Sequence, residues 1–229
     1  MSPLNDDPGA VSDHACKPIK QGPKLNSIAA TFGGGVFPTT ALNIGAPTHD
    51  KKTAADFLAV LDPTTQKHTY QFFADRGAPY AEIFHGTLDE VWPKVLALNT
   101  PERGVGAFIT VNATDLKGRK RENIIRVRAL WVDADNADQL RRCDEVVKAT
   151  GATPTMTVRS SDSRAHFYWC CDDISCEIFS SWQAALIKKM GTDPSVRDLP
   201  RVMRLPGTLH LKDPNNPQLV TLDIPNAHT

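Results

Sequence analysis

No run of about eighteen apolar residues occurs in this 229-residue chain, which argues against a membrane-spanning helix. Its first residues, Met1 to Asp13, hold neither the basic nor the apolar stretch of a secretory leader. Cysteine is sparse. Five residues, an odd number with three gathered at Cys170, Cys171 and Cys176, do not form the paired framework of a small secreted protein. The C-x-x-C spacing of a zinc site is missing as well, so the three read as buried thiols and zinc is not expected. Net charge is also absent: 26 basic residues cancel 26 acidic ones. No global field then draws the chain to a polyanion or a membrane, and any such affinity has to come from a local patch. A cytoplasmic protein is the expectation.

What is present is the composition of an ordinary globular domain, 41% apolar and 23% charged, enough for one sizeable core. Residues 1 to about 50 are rich in Pro, Gly, Ser, Thr and Asn without periodicity, and read as an arm or linker before a folded domain over 51–229. Gly33-Gly34-Gly35 is followed by no Gly-Lys-Ser/Thr, so it reads as a turn rather than a phosphate loop.

Order is expected from near Thr53, where Ala54, Phe57, Leu58 and Leu61 fall on one helical face that Pro63 ends. Thr69 to Phe73 reads as a strand. Thr87 and Glu90 have capping-box spacing before a helix with Leu88, Val91, Val95 and Leu98 inward, although Pro93 sits awkwardly in it. Val105 to Val111 alternates like a strand, and Ile124 to Asp135 reads as one long strand. A helix over Ala137 to Thr150 closes at Gly151. Strands follow at Thr155 to Arg159 and Ala165 to Cys171, then a helix from Glu177 to Met190 with Phe179, Trp182, Leu186 and Met190 inward. A last strand falls within Arg201 to Asp223. The order from residue 124 is β-α-β-β-α-β, the split arrangement of RNA-recognition-like and ferredoxin-like units.

Three segments of that unit can carry chemistry. In Ala129-Leu-Trp-Val-Asp133-Ala-Asp135 both carboxylates leave the same strand face, roughly 6.5 Å apart at Cα, a spacing that can bridge divalent ions. Asp135 or Asn136 could equally serve as the cap of the following helix. The turn Arg159-Ser160-Ser161-Asp-Ser163-Arg164-Ala-His166 brings hydroxyls, amides and a histidine that suit phosphate oxygens, although hairpin chemistry explains Ser and Asp as well. The third segment holds Asp193, Arg201 and Arg204, an acid for metal and arginines for phosphate, with Asp198 the rival acid.

Together with Gly106-Ala-Phe-Ile-Thr-Val-Asn112-Ala-Thr114 and Arg201-Val-Met-Arg204-Leu-Pro-Gly207, these segments resemble the catalytic domain of the archaeo-eukaryotic primase superfamily, in its plasmid- and phage-borne RepB-like primase-polymerase branch. The likeness spans about residues 53 to 215. It implies an α+β fold, an N-terminal α/β unit packed on the recognition-like unit with the active site in the cleft. It implies Asp133, Asp135 and Asp193 as ligands of two Mg²⁺ or Mn²⁺ ions. His166 falls where the family contacts nucleotide phosphates, and Ser160, Ser161, Arg201 and Arg204 where it binds phosphate. The expected activity is template-dependent nucleotidyl transfer from nucleoside triphosphates onto a 3′-hydroxyl, in replication of a plasmid, phage or prophage. Two features depart from the family: the spacer from Ser161 to His166 is longer than the short Ser-x-His form, and the helical domain many members use for starting primers is not expected within these 229 residues.

Lys117, Arg119, Lys120, Arg121, Arg126 and Arg128 form the best local basic patch and read as contacts to the phosphates of a single-stranded or primed DNA template, with 117–121 reading equally as a solvated loop. Arg126 and Arg128 should point away from the aspartates. Tyr168, on the face of His166, is a candidate sugar or base contact. A helicase or additional C-terminal domains are the expected further partners, and no membrane. The alternatives are a catalytically silent single-strand-binding or replication-initiation module and, third, a two-metal nuclease.

Overall fold

The structure is a computed structural model describing residues 46–213 and 215–225. The arm read over residues 1 to about 50 and the turn at Gly33 therefore lie outside the described residues, apart from residues 46–50. Helix α1 (Lys51–Leu61) starts where the Asp50 carboxylate accepts the Lys52 and Thr53 amides, and it buries Ala54, Phe57, Leu58 and Leu61. Strands β1 (Lys67–Ala74) and β2 (Ala81–Thr87) form a hairpin, of which only the first strand is expected from the sequence. Helix α2 (Leu88–Leu98) opens with the Thr87–Glu90 capping box and runs through Pro93. Both Pro93 and Asp89, whose carbonyl loses its partner there, are solvent-exposed, so water can replace that bond.

Strand β3 (Val105–Thr110) follows, then β4 (Ala113–Thr114), β5 (Ile124–Arg126) and β6 (Ala129–Ala134). The single strand expected over 124–135 is thus broken. The Arg128 amide donates to Asn112 Oδ1 and its Nε to buried Asp62, and this turns the chain from a small ribbon with β4 into another sheet. Helix α3 (Ala137–Thr150) closes at Gly151 in the left-handed conformation. Strands β7 (Met156–Ser161) and β8 (Arg164–Cys170) and helix α4 (Phe179–Met190) come next. The face of α4 differs from expectation. Phe179, Gln183, Ile187 and Met190 are buried, whereas Trp182 is 56% exposed. The chain ends in β9 (Val202–Arg204), β10 (Leu209–His210), β11 (Gln218–Leu219) and β12 (Thr221–Asp223).

Two four-stranded antiparallel sheets result. The first has the order β2-β1-β3-β9, the second β12-β7-β8-β6. The split β-α-β crossover β6-α3-β7 is present, with β8 between its strands. The strand closing this unit is β12, while β9, the first after α4, joins the other sheet. The main core joins α1, one face of each sheet and α4 through Phe57, Tyr70, Phe72, Ile109, Trp131, Tyr168 and Phe179. A smaller core of Val132, Ala134, Cys143, Phe167, Ile187 and Met190 lies behind the second sheet, beneath α3 and α4. Alternation along β6 therefore sends Val132 and Ala134 to one core and Trp131 to the other, and Asp133 leaves on the Trp131 face.

Candidate active site

Strand β6 is an edge of its sheet, and its exposed backbone would need partners. The fully buried Gln183 side chain of α4 supplies them. Its Oε1 accepts the Trp131 amide at 3.2 Å, and its Nε2 donates to the Trp131 carbonyl at 2.8 Å and the Val196 carbonyl at 3.2 Å. Two residues further along, β6 presents Asp133 directly opposite His166 of β8. Asp133 Oδ1 lies 3.4 Å from His166 Nε2. The other ring nitrogen, Nδ1, is buried without a partner. Asn136, not Asp135, caps α3, accepting the Gln139 amide while Gln139 Oε1 takes the Asp135 amide. The Asp135 carboxylate is left exposed.

These groups line a cavity of about 140 Å³ at the place where the open face of the first sheet meets the Asp133–His166 end of the second. Ser160, Arg164, His210 and Lys212 complete the polar wall, and Phe108, Val202 and Arg204 the other. A register shift in β7 between Arg159 and Ser161 marks the strand at buried Ser160, which lines the cavity. Ser161 is half-buried beside it and is not in the lining. A larger cleft, about 670 Å³ over α1, has one buried carboxylate, Asp62, which Arg126 and Arg128 already neutralise. Volume is not the guide here; the smaller cavity holds the unpaired acids.

Electrostatics single out the same place. Burial pushes the Asp133 carboxyl up, the Asp135 charge adds to this, and His166, Arg201 and Arg164 oppose it. Burial likewise pushes His166 down, against the pull of Asp133. His210 falls to about 4, through burial first and then the charges of Arg204 and Lys212, with Asp75 opposing.

Not all of the remaining expected residues reach the cavity. Asp193 is not in the cavity lining: its carboxylate accepts the Ser195 amide at 2.8 Å and the Ser195 hydroxyl at 2.7 Å. Among the described residues no three His, Cys, Asp or Glu side chains converge as a metal site. Asp198 pairs with Arg201, whose guanidinium also donates to the Ser195 carbonyl. Arg204 lines the cavity, but its fork is held by Asp75 through two bonds of 2.8 Å, both side chains buried. Gly106 makes room for that pair, since a Cβ there would stand 2.9 Å from each partner. Tyr168 is fully buried against Phe57 and is no sugar contact, because the strand carries it into the core two residues past His166. Lys117, Lys120 and Arg121 are exposed, while Arg119 is tied to Gln71 and the Pro200 carbonyl. Cys170, Cys171 and Cys176 lie half-buried against the main core. Asp75, Gln183, His210 and Lys212 join the expected residues only in the structure, whereas Arg164 falls within the turn read as suited to phosphate. The alternation of His210 and Lys212 about Leu211 was the one available signal, since it puts both on one face.

The model of the RepB DNA-primase N-terminal domain family matches residues 88–220. No curated protein matches in sequence. Among solved structures, the chain is similar to the AEP domain of the cyanophage S-2L primase-polymerase, with 22% identity and a TM-score of 0.59 over 77% of this chain and 91% of that one. It is also similar to primase RepB′, with 16% identity and a TM-score of 0.57 over 76% of this chain and 55% of that one. A further structure, the catalytic domain of primase RepB′ in complex with initiator DNA, matches with 17% identity and a TM-score of 0.53 over 75% and 82%. Among the described residues, no helix is long and apolar enough to cross a membrane.

Proposed function

Since the chain belongs to the RepB DNA-primase N-terminal domain family, we propose that this primase-type replication domain joins nucleotides from nucleoside triphosphates onto a 3′-hydroxyl under the direction of a DNA template. The observation that carries the reading is Asp133 and Asp135 on the wall of one cavity with His166, Arg164 and Lys212. The donor chemistry fits Mg²⁺ or Mn²⁺. Two carboxylates on one cavity wall are hard oxygen donors, and magnesium is commonly held by one or two carboxylates plus water and substrate phosphates. When bound, such ions neutralise a triphosphate and acidify the attacking hydroxyl.

The chain's own groups do the rest. Asp133 and Asp135 would hold the cations, while the Asp193 carboxylate is engaged by Ser195. Arg164, Lys212 and the Ser160 hydroxyl take phosphate oxygens. His166 donates a ring N–H toward the charge that grows on the leaving group. Arg204, neutralised by Asp75, holds the cavity wall in shape. Lys117, Lys120 and Arg121 meet template phosphates.

The test is incorporation of labelled nucleotide on primed and unprimed single strands with Mg²⁺ or Mn²⁺. Asp133→Ala and Asp135→Ala should each lower incorporation by about a thousandfold or more, a loss of 4 kcal/mol or more in transition-state stabilisation. Incorporation surviving both changes would end the assignment. The hold of Ser195 on Asp193 is what favours a catalytically silent strand-binding module, and that reading requires wild-type protein to bind strands and incorporate nothing. Strand loss without triphosphates would instead point to a nuclease.

A further inference from the structure

The open face of the first sheet carries Arg204, Phe108 and Phe73 in a row that leads away from the cavity, and Arg119 of the loop after β4 extends it to four side chains. The Arg204 guanidinium lies 4.6 Å from the Phe108 ring centroid. Phe108 meets Phe73 edge-on at 5.4 Å, and the Arg119 guanidinium lies 5.8 Å from the Phe73 centroid. Phe72, Ala107, Ile109, Met203 and Leu205, neighbours of the three strand residues, are in the main core, so alternation puts Phe73, Phe108 and Arg204 on the opposite face. Its inner end is the cavity, which Phe108 and Arg204 line. Its outer end is the loop that carries exposed Lys117 and Lys120.

Two half-exposed phenylalanines on the outer face of a sheet do nothing for its core. Charge along the row is graded. Arg204 is cancelled by Asp75, while Arg119 donates to the neutral Gln71 amide and the Pro200 carbonyl. Lys117, Arg119 and Lys120 have no ion pair among the described residues. Aromatic and guanidinium faces flanked by uncancelled cations are what unpaired nucleic acid binds, because only an unpaired base offers its flat face while its phosphates seek positive charge. A duplex keeps those faces hidden.

We propose that this row is a track for single-stranded nucleic acid, with bases stacking against Phe108, Phe73 and the Arg119 plane and phosphates passing Lys117 and Lys120. Naming that strand the template rests on the polymerase reading above; its binding does not.

The experiment is fluorescence anisotropy on the full chain without nucleoside triphosphates, using a labelled oligothymidylate and an abasic strand of equal length. Phe73→Leu keeps the apolar bulk and removes the ring. It should weaken oligothymidylate binding about tenfold while leaving abasic binding unchanged, and Phe73→Tyr should bind as wild type. Equal weakening on both strands, no weakening on either, or equal affinity for duplex would overturn the track. Incorporation by the wild type is measured in parallel. Selective weakening without any incorporation upholds the track and removes the polymerase reading. Unchanged Phe73→Leu binding beside active incorporation does the reverse.

Discussion

Asp62 shows how one side chain sets the geometry of distant chain. Fully buried at the end of α1, it accepts Arg128 Nε and an Arg126 amine, each at 2.6 Å, where the chain crosses from the β4–β5 ribbon to β6. Burial alone would raise its carboxyl. The Thr64 hydroxyl and the Arg128 charge outweigh it and bring it to about 2. Asp62→Ala leaves Arg128 buried beside no anion, and a loss of about 3–5 kcal/mol in urea unfolding is expected. Because the folded value lies below the ordinary 3.8, the contribution of Asp62 is present above pH 3.8 and fades as pH falls toward 2. His68 acts in a higher window. Burial first, then the Arg128 charge, lowers it to about 4, so the unfolded chain takes up that proton first as pH drops from 6.5. Stability should fall between pH 6.5 and 4, and His68→Phe should lessen that fall by up to about 3 kcal/mol.

Among the elements, β6 and the β9–β10 turn show why particular residues stand where they do. Gln183 behaves as a substitute strand beside β6, so Gln183→Leu strands one amide and one carbonyl of Trp131. A loss of about 1–3 kcal/mol is expected, with faster hydrogen exchange at Trp131 than at β8. Gly207 has φ +79°, accepts the Asp50 amide at 2.8 Å, and would place a Cβ 2.0 Å from the Asp50 carbonyl oxygen. That turn pins the start of α1 to the motif Arg204-Leu-Pro-Gly207. Gly207→Ala should cost more than about 2 kcal/mol, since strain and a backbone clash add. Gly77→Ala, at φ +80° with no heavy atom within 4 Å, should cost only the strain, about 1 kcal/mol. Comparing the two melts separates conformation from contact.

For the molecule as a whole, zero net charge makes nucleic-acid binding a local affair. Changing Lys117 and Lys120 together to Ala should lower the slope of log affinity against log salt by about 1.4, at roughly 0.7 per single-strand phosphate released. A stacking change such as Phe73→Leu should leave that slope alone. Salt titrations of both variants therefore divide the surface into charge and stacking contributions.

Helix α3 and the opening of α2 are legible from residues because caps and periodicity are local: Asn136, Gly151, Thr87 and Glu90 act within one turn of themselves. The Asp133–Asp135 pair is legible for the same reason, since alternation along one strand needs no partner. Asp75, Gln183 and the broken strand at Arg128 are not. Each is defined by a group far along the chain: Asp75 by Arg204, Gln183 by Trp131, Arg128 by Asp62. A polar side chain reads the same in sequence whether water or a buried partner satisfies it. Only the packing of two sheets takes that water away and so assigns the partner.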